Sequence, residues 1–251
     1  MKLIRFFKKL LLGSEVKWRR IKFGPAKGML MPINRASNFR EELGIFEAPL
    51  KKHIYNLAKN AKVAYDLGSE RGYYALAFAR LMKPGSKVYA FEPNEMWLKQ
   101  LHEIRERNGL HDRIEIIGKY VTNRIGVEEQ ILPLTGETLK KIVDKISLDN
   151  FVYAEGNLPP DLIKIDIEGE ELNALEGASK VISQYKPQII LEAHSQTLAE
   201  ECSSFLAKRG YEVKKIGKGL WWEKIFPESR WDGFNPYNEW FIAQIKNEQP
   251  I

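Results

Sequence analysis

VAYDLGSERGYYALAFARL, Val63 to Leu81, starts as an apolar run, reaches a carboxylate at Asp66, turns through Gly68 and Gly72, and continues as an apolar helical stretch. This is the pattern of a strand feeding a helix through a turn that faces a ligand. Three later stretches repeat its first half. KVYAFEP (87–93), LIKIDIEG (162–169) and QIILEAH (188–194) each run apolar into a carboxylate, at Glu92, Asp166 and Glu192. Continuous apolar strands of this kind suit a parallel sheet covered on both faces. Ligands of such sheets bind beyond the carboxyl ends of the strands, near the point where strand order reverses.

Working outward, the periodicity predicts a helix over Ile45–Ala58, helices over Tyr73–Met82 and Glu95–Asn108, and strands over Lys87–Glu92 and Arg113–Gly118. A less regular stretch follows. Beyond it come a strand over Asp161–Asp166, a helix over Glu170–Ser183, a strand over Gln188–Ala193 and a helix over Thr197–Arg209. Strands over Tyr211–Ile216 and Trp240–Lys246 complete the pattern. Alternation of β and α units implies right-handed crossovers and helices on both sides of a largely parallel sheet.

The length of 251 residues favours one α/β core with appendages, and 44% hydrophobic with 29% charged residues excludes disordered, collagen-like and disulfide-scaffold classes. Cys202 is the one cysteine, so an internal disulfide is impossible. With no Cys/His spacing of a zinc site, a reducing, cytoplasmic setting is expected.

The net charge of +6 is unevenly spread: residues 1–60 carry 14 Lys/Arg against 4 Asp/Glu, and the rest of the chain is net negative. The chain therefore divides into a basic extension over 1–44 and a mildly acidic body over 45–251. Lys8 and Lys9 interrupt the first apolar run, which argues against a secretory signal. On a helix, Leu3, Ile4, Phe7, Leu10 and Leu11 would share one face, a pattern that suits peripheral contact of residues 1–27 with a membrane surface. An arm folded on the body with its lysines in solvent explains the same residues. The basic pI also raises RNA as a partner, but no aromatic-basic recognition motif accompanies it, so nucleic acid is disfavoured.

The turn after the first strand is not a dinucleotide fingerprint. Glu70 stands where a second glycine would admit a pyrophosphate, and its charge would repel one. No phosphate-binding P-loop sequence occurs. Glu92, twenty residues after Gly72, is placed to accept hydrogen bonds from ribose hydroxyls. Ribose recognition without a phosphate cradle, among several carboxylates, suits a cationic nucleoside, and S-adenosylmethionine with its sulfonium fits better than NAD or ATP.

From about Gly44 to Ile216 the sequence resembles the FkbM-type S-adenosylmethionine-dependent methyltransferases. The similarity is carried by LGIFEAPL (43–50), DLGSERGYYALAFARL (66–81), VYAFEPN (88–94), ISLDNF (146–151), PPDLIKIDIEGEELNALEGA (159–178) and PQIILEAH (187–194). The resemblance implies a Rossmann-like α/β fold with a seven-stranded, mostly parallel sheet and an antiparallel last strand. It implies a loop of Asp66, Gly68, Ser69 and Gly72 under the methionine end of S-adenosyl-L-methionine, and Glu92 with Asn94 at the ribose. Tyr120 and Val121 match the segment near the adenine, or are sheet-end core residues. The family motif usually reads D-x-G-A-N-x-G, so Ser69 and Glu70 depart from it, and Glu70 with Arg71 could alter contacts to the methionine moiety. Residues 217–239 have no clear counterpart in the family. The stretch 217–240 holds seven aromatics that either meet an acceptor or form a satellite core.

For the chemistry, Asp166, Glu168, Glu192 and His194 are the candidate catalytic residues. Strand alternation would direct Asp166 and Glu168 to one side. The carboxylates with His194 could bind Mg²⁺ or share a proton. Glu168 could instead cap the following helix, Asp149 could cap or turn the chain or touch substrate, and Glu47 enters the site on resemblance alone. The expected activity is O-methylation of a hydroxyl on a saccharide, glycoconjugate or natural product, with a small-molecule or glycan acceptor. The competing readings are a membrane-surface or partner-binding module that keeps the fold with weak catalysis, and an RNA methyltransferase.

Overall fold

A computed structural model describes residues 13, 15–134, 137–217 and 239–246. The chain begins with a hairpin, β1 (Val16–Arg20) and β2 (Leu30–Asn34), followed by α1 (Arg35–Leu43) and α2 (Lys51–Ala58). Then come β3 (Val63–Leu67), α3 (Tyr73–Leu81), β4 (Lys87–Phe91), α4 (Glu95–Arg107) and β5 (Ile114–Ile117). A small sheet of β6 (Tyr120–Val121), β7 (Gly126–Leu134) and β8 (Glu137–Ile146) precedes α5 (Leu148–Tyr153). The second half comprises β9 (Leu162–Ile165), α6 (Glu171–Glu176), α7 (Ser179–Tyr185), β10 (Gln188–Ala193), α8 (Gln196–Ala207), β11 (Tyr211–Ile216) and β12 (Glu239–Ile245).

The central sheet has seven strands in the order β11-β12-β10-β9-β3-β4-β5. The strands from β10 to β5 run parallel, and β12 is antiparallel to both of its neighbours. The α/β fold with an antiparallel last strand is therefore as the sequence predicts. Strand order reverses between β3 and β9, so the carboxyl ends of these two strands flank the crevice where an open α/β sheet receives its ligand. Val63 to Leu67 are buried throughout, as expected of a strand covered on both faces.

Each face of the sheet has its own core. One gathers Leu76 and Phe78 of α3 with Ile54 of α2, and includes Ile21, Met31 and Ile33 from the hairpin region. The other gathers Leu175, Val181 and Ile182 around the rings of Tyr65, Tyr89, Phe91 and Phe151, whose centroids lie 5.0–5.6 Å apart, most of them edge to face. Tyr65 keeps its hydroxyl satisfied by donating to the Leu158 carbonyl at 2.6 Å.

The structure refines three local expectations. The helix read over 170–183 is two helices, because the backbone leaves helical geometry at Ala178 (φ −109°, ψ 11°); the preceding Gly177 packs against the Thr122 carbonyl oxygen, where a Cβ would come within 2.2 Å. The helix read from Ile45 starts later, as a 3₁₀ turn at Ala48–Leu50 with Pro49 in its first positions, and continues as α2. The irregular stretch after Gly118 contains the β7–β8 ladder, whose Val127 and Ile142 are exposed and so give no inward apolar rhythm to read. The helical face proposed for Leu3–Leu11 and positions 218–238 of the aromatic-rich segment lie outside the described residues. Among the described residues no helix is long and apolar enough to cross a membrane.

Candidate active site

Four carboxylates stand at the carboxyl ends of four adjacent strands: Glu192 on β10, Asp166 after β9, Asp66 on β3 and Glu92 after β4. They divide into a loop side and a side-chain cluster.

On the loop side, the turn after β3 folds back on β4. The N–H groups of Gly68 and Ser69 both donate to the Phe91 carbonyl, at 3.1 and 3.0 Å, and the Ser69 hydroxyl donates to the Asp66 carbonyl. Gly68 is obligatory, since a Cβ there would come 1.9 Å from the Asp166 carbonyl oxygen and its φ is +77°. Glu92 is held by backbone: Oε2 accepts the Glu70 N–H at 2.9 Å and Oε1 accepts the Asn94 N–H at 2.8 Å. Burial pushes its carboxyl up to about 7, against the pull of those two donors. Asp66 is fully buried, and burial pushes its carboxyl up to about 6 although Lys164, the Ser69 side chain and the Ala75 backbone draw it down.

Of the other predicted residues here, Asn94 caps α4 by accepting the Met96 N–H. Glu70 has φ +43° and a largely exposed side chain. Arg71 turns to the buried Glu41 of α1 at 2.7 Å. Tyr120 and Val121 form β6 beside β8, with Val121 buried in the same cluster as Ile146 and Tyr120 half-buried.

The cluster is built by β9, β10 and their neighbours. His194 Nδ1 lies 2.8 Å from Glu171 Oε1, and its Nε2 lies 3.4 Å from Asp166 Oδ1 and 3.5 Å from Glu168 Oε2. The fully buried Glu171 also accepts the Gly169 N–H at 3.0 Å, which fixes it against the loop. Burial opposes a charged imidazole. The Glu171 hydrogen bond and the charges of Asp166 and Glu168 prevail and push His194 up to about 9. Glu192 moves toward neutrality, to about 7, first through burial and then through the charge of Asp166, with Lys164 and His194 acting the other way. Trp240 stands opposite Glu192 in the β10–β12 ladder and is itself buried. Glu47, at φ +43°, is reached by a short hydrogen bond from the Tyr74 hydroxyl. Burial and the nearby Glu192 raise its carboxyl well above the usual range.

The four predicted catalytic residues thus come together, and Asp166 and Glu168 do face one nitrogen. Glu168 makes no helix cap: α6 starts at Glu171 and the carboxylate of Glu168 is turned to His194. Asp149 does cap, accepting the N–H groups of Lys180 and Val181 at the start of α7. Reading the sequence missed Lys164, Tyr74 and Glu171. Only Lys164 left a signal, as a lysine inside an otherwise apolar core strand. Atoms of Asp166, Glu192 and His194 lie within 4.8 Å of one another, close enough for a cation to span, and the cation lodged beside them is the Lys164 ammonium, 2.5 Å from Asp166 Oδ2.

S-adenosylmethionine can be tested against these residues by their donors and acceptors. Both Glu92 oxygens keep lone pairs beyond the one backbone N–H that each accepts, as a ribose diol needs. The glycine turn and the buried Asp66 carboxylate lie beside it. The residues fit the group.

Residues 64–213 match the methyltransferase FkbM domain. The hexuronic acid methyltransferase AglP of Haloferax volcanii is 25% identical over 178 residues, covering 64% of this chain and 69% of that protein. The crystal structure of methyltransferase FkbM from Methylobacillus flagellatus aligns with a TM-score of 0.53 and 23% identity, over 72% of this chain and 43% of that one. This chain thus spans less than half the length of that solved relative, and the likeness shows a shared fold. With the match over residues 64–213 covering more than half its length, the chain belongs to the FkbM methyltransferase domain family.

Proposed function

We propose that the protein is an S-adenosylmethionine-dependent O-methyltransferase whose acceptor is a hydroxyl of a saccharide, with acidic sugars the first class to test. The observation that carries this reading is the pairing, across the switch point, of a backbone-held Glu92 with a buried acid–base cluster of Glu192, His194 and Asp166. The family supports methyl transfer, and the hexuronic acid specificity of the Haloferax relative supports a sugar acceptor.

When bound, the cofactor supplies an electrophilic methyl group on a sulfonium. Glu92 holds the ribose hydroxyls, and the turn from Asp66 to Gly72 seats the methionine end. A hydroxyl acceptor must lose its proton as it reacts, and a base that titrates near the working pH does this best. Glu192 has that property. His194 does not in the resting site, because it is already charged near neutral pH; it orients Asp166 and donates from Nε2. Asp166 and Glu168 accept hydrogen bonds from the remaining sugar hydroxyls, and much of the acceleration comes from alignment. No metal ion is required in this scheme.

The test is calorimetry with S-adenosylhomocysteine on the full chain, followed by turnover with S-adenosylmethionine and a panel of uronic-acid and neutral glycosides, with products read by mass spectrometry. Binding plus a methyl ether on a glycoside is the expected result. A folded protein that binds no S-adenosylhomocysteine would overturn the reading.

A further inference from the structure

Lys164 lies in the middle of β9 with its side chain 3% exposed, flanked in sequence by Ile163 and Ile165. Burying a lone ammonium is expensive, so a lysine is kept in a core strand only where its charge is used. Its Nζ is 2.5 Å from Asp166 Oδ2 and 4.5 Å from the centre of the Tyr74 ring, over which it forms a cation–π contact. Tyr74 in turn hydrogen-bonds Glu47, and Asp66 stands beside Lys164 in the β3–β9 register. The ammonium is therefore seated by a ring from α3, a carboxylate two residues ahead, and acidic groups on the neighbouring segments.

The Asp166 carboxylate is consequently used at both ends: Oδ2 is tied to Lys164 while Oδ1 is turned toward His194 Nε2. We propose that Lys164 is a positioning residue of this site, an internal counter-cation that locks the Asp166 carboxylate and balances the carboxyl groups that converge on it. This inference rests on the function proposed above. The groups facing Lys164 are Asp166 after β9, Asp66 on β3, Glu70 in the following turn, Tyr74 on α3, Glu47 ahead of α2 and Glu192 at the end of β10; His194 and Glu168 stand one step further out, on the other side of Asp166. These acidic groups together hold the lysine above its ordinary range despite its burial.

A merely structural lysine would affect folding alone, and a positioning lysine also affects ionisation. In Lys164→Met the expected results are a kcat at neutral pH lower by about 30-fold or more, S-adenosylhomocysteine affinity within about threefold of wild type, and an acid limb of the pH–rate profile moved to higher pH. Lys164→Arg, which keeps the charge, should return the limb to its original place and recover part of kcat. A second readout uses no cofactor or turnover: the infrared carbonyl band of protonated carboxyl groups should persist to higher pH in unliganded Lys164→Met than in wild type. If the methionine variant does not fold, Lys164→Gln is measured in the same ways. An unmoved acid limb with kcat within twofold of wild type, or an unchanged infrared titration, overturns the proposal. Failure of the wild-type protein to bind S-adenosylhomocysteine would instead defeat the cofactor reading, leaving the infrared titration to decide the role of Lys164.

Discussion

The two sides of the crevice are built by different means. The loop side is made of main chain: two N–H groups hold Glu92, two more tie the turn to β4, and a glycine passes against the next strand's carbonyl. The cluster side is made largely of side chains: Lys164 and His194 hold Asp166, Glu171 holds His194, Tyr74 reaches Glu47, and Glu192 feels the charges of Asp166, Lys164 and His194. Main-chain geometry is rigid and tolerates little change in shape. A side-chain cluster tolerates shape changes better and responds to charge and pH. The same comparison separates substitutions that should abolish the fold of the site from those that should alter only its chemistry.

The largest effect should come from Gly68→Ala, where the two sides touch. The added methyl would overlap the Asp166 carbonyl and the backbone would be left at positive φ, so a loss of at least about 2 kcal/mol in stability is expected, with S-adenosylhomocysteine binding abolished. Denaturant melts and calorimetry measure both. A variant of wild-type stability would mean that the main-chain contact is softer than its geometry states.

Next comes the cluster. Glu192→Gln should lower kcat by about 10²- to 10³-fold while leaving S-adenosylhomocysteine affinity unchanged. It should also flatten the pH dependence of stability. Glu192, at about 7, and His194, at about 9, are both raised above their unfolded values of 4.5 and 6.5. Each therefore contributes stability that is full below the unfolded value and is lost as pH rises through the folded one. Thermal unfolding temperature should fall between about pH 5 and pH 9, and Glu192→Gln should remove the lower part of that fall. A variant as pH-dependent as wild type would show that Glu192 does not carry it.

On the loop side, Glu92→Gln keeps the shape, removes the charge and turns an amide NH2 toward one of the two backbone N–H donors, so S-adenosylhomocysteine binding should weaken about 10- to 100-fold and the unfolding midpoint should fall with it, by about 1–3 kcal/mol of stability. If the affinity is retained, the ribose is held elsewhere.

The unequal legibility of the two sides follows from how they are made. Asp66, Gly68, Gly72 and Glu92 lie within one βαβ unit, where strand, turn and helix fix their relative places, so spacing alone places them. The seven strands of the central sheet were equally legible, since most are apolar runs of ordinary length, whereas the hairpin of β1 and β2, with its charged VKWRR strand, was not. The cluster joins segments more than a hundred residues apart. Sequence pattern could bring Asp166, Glu192 and His194 to the same end of the sheet, but it carried no sign that Tyr74 would reach Glu47 or that Glu171 would orient the imidazole. The β7–β8 ladder escaped reading for a different reason: Val127 and Ile142 face outward, so the alternation that reports a half-buried strand is missing.

The smallest expected effect tests how far the main chain alone accounts for the loop side. Asn94 makes two separate contributions: its backbone N–H donates to Glu92, and its side chain caps α4 through the Met96 N–H. Asn94→Ala removes only the second. A lost cap costs about 1 kcal/mol, and the unfolding midpoint should fall accordingly. Because the donor to Glu92 belongs to the backbone, S-adenosylhomocysteine affinity should stay within about threefold of wild type. A tenfold loss of affinity would place the Asn94 side chain against the cofactor and end the distinction between a main-chain side and a side-chain side. Retained affinity with reduced stability would show that the carboxylate at the ribose is positioned by peptide groups and needs no side-chain support from this residue.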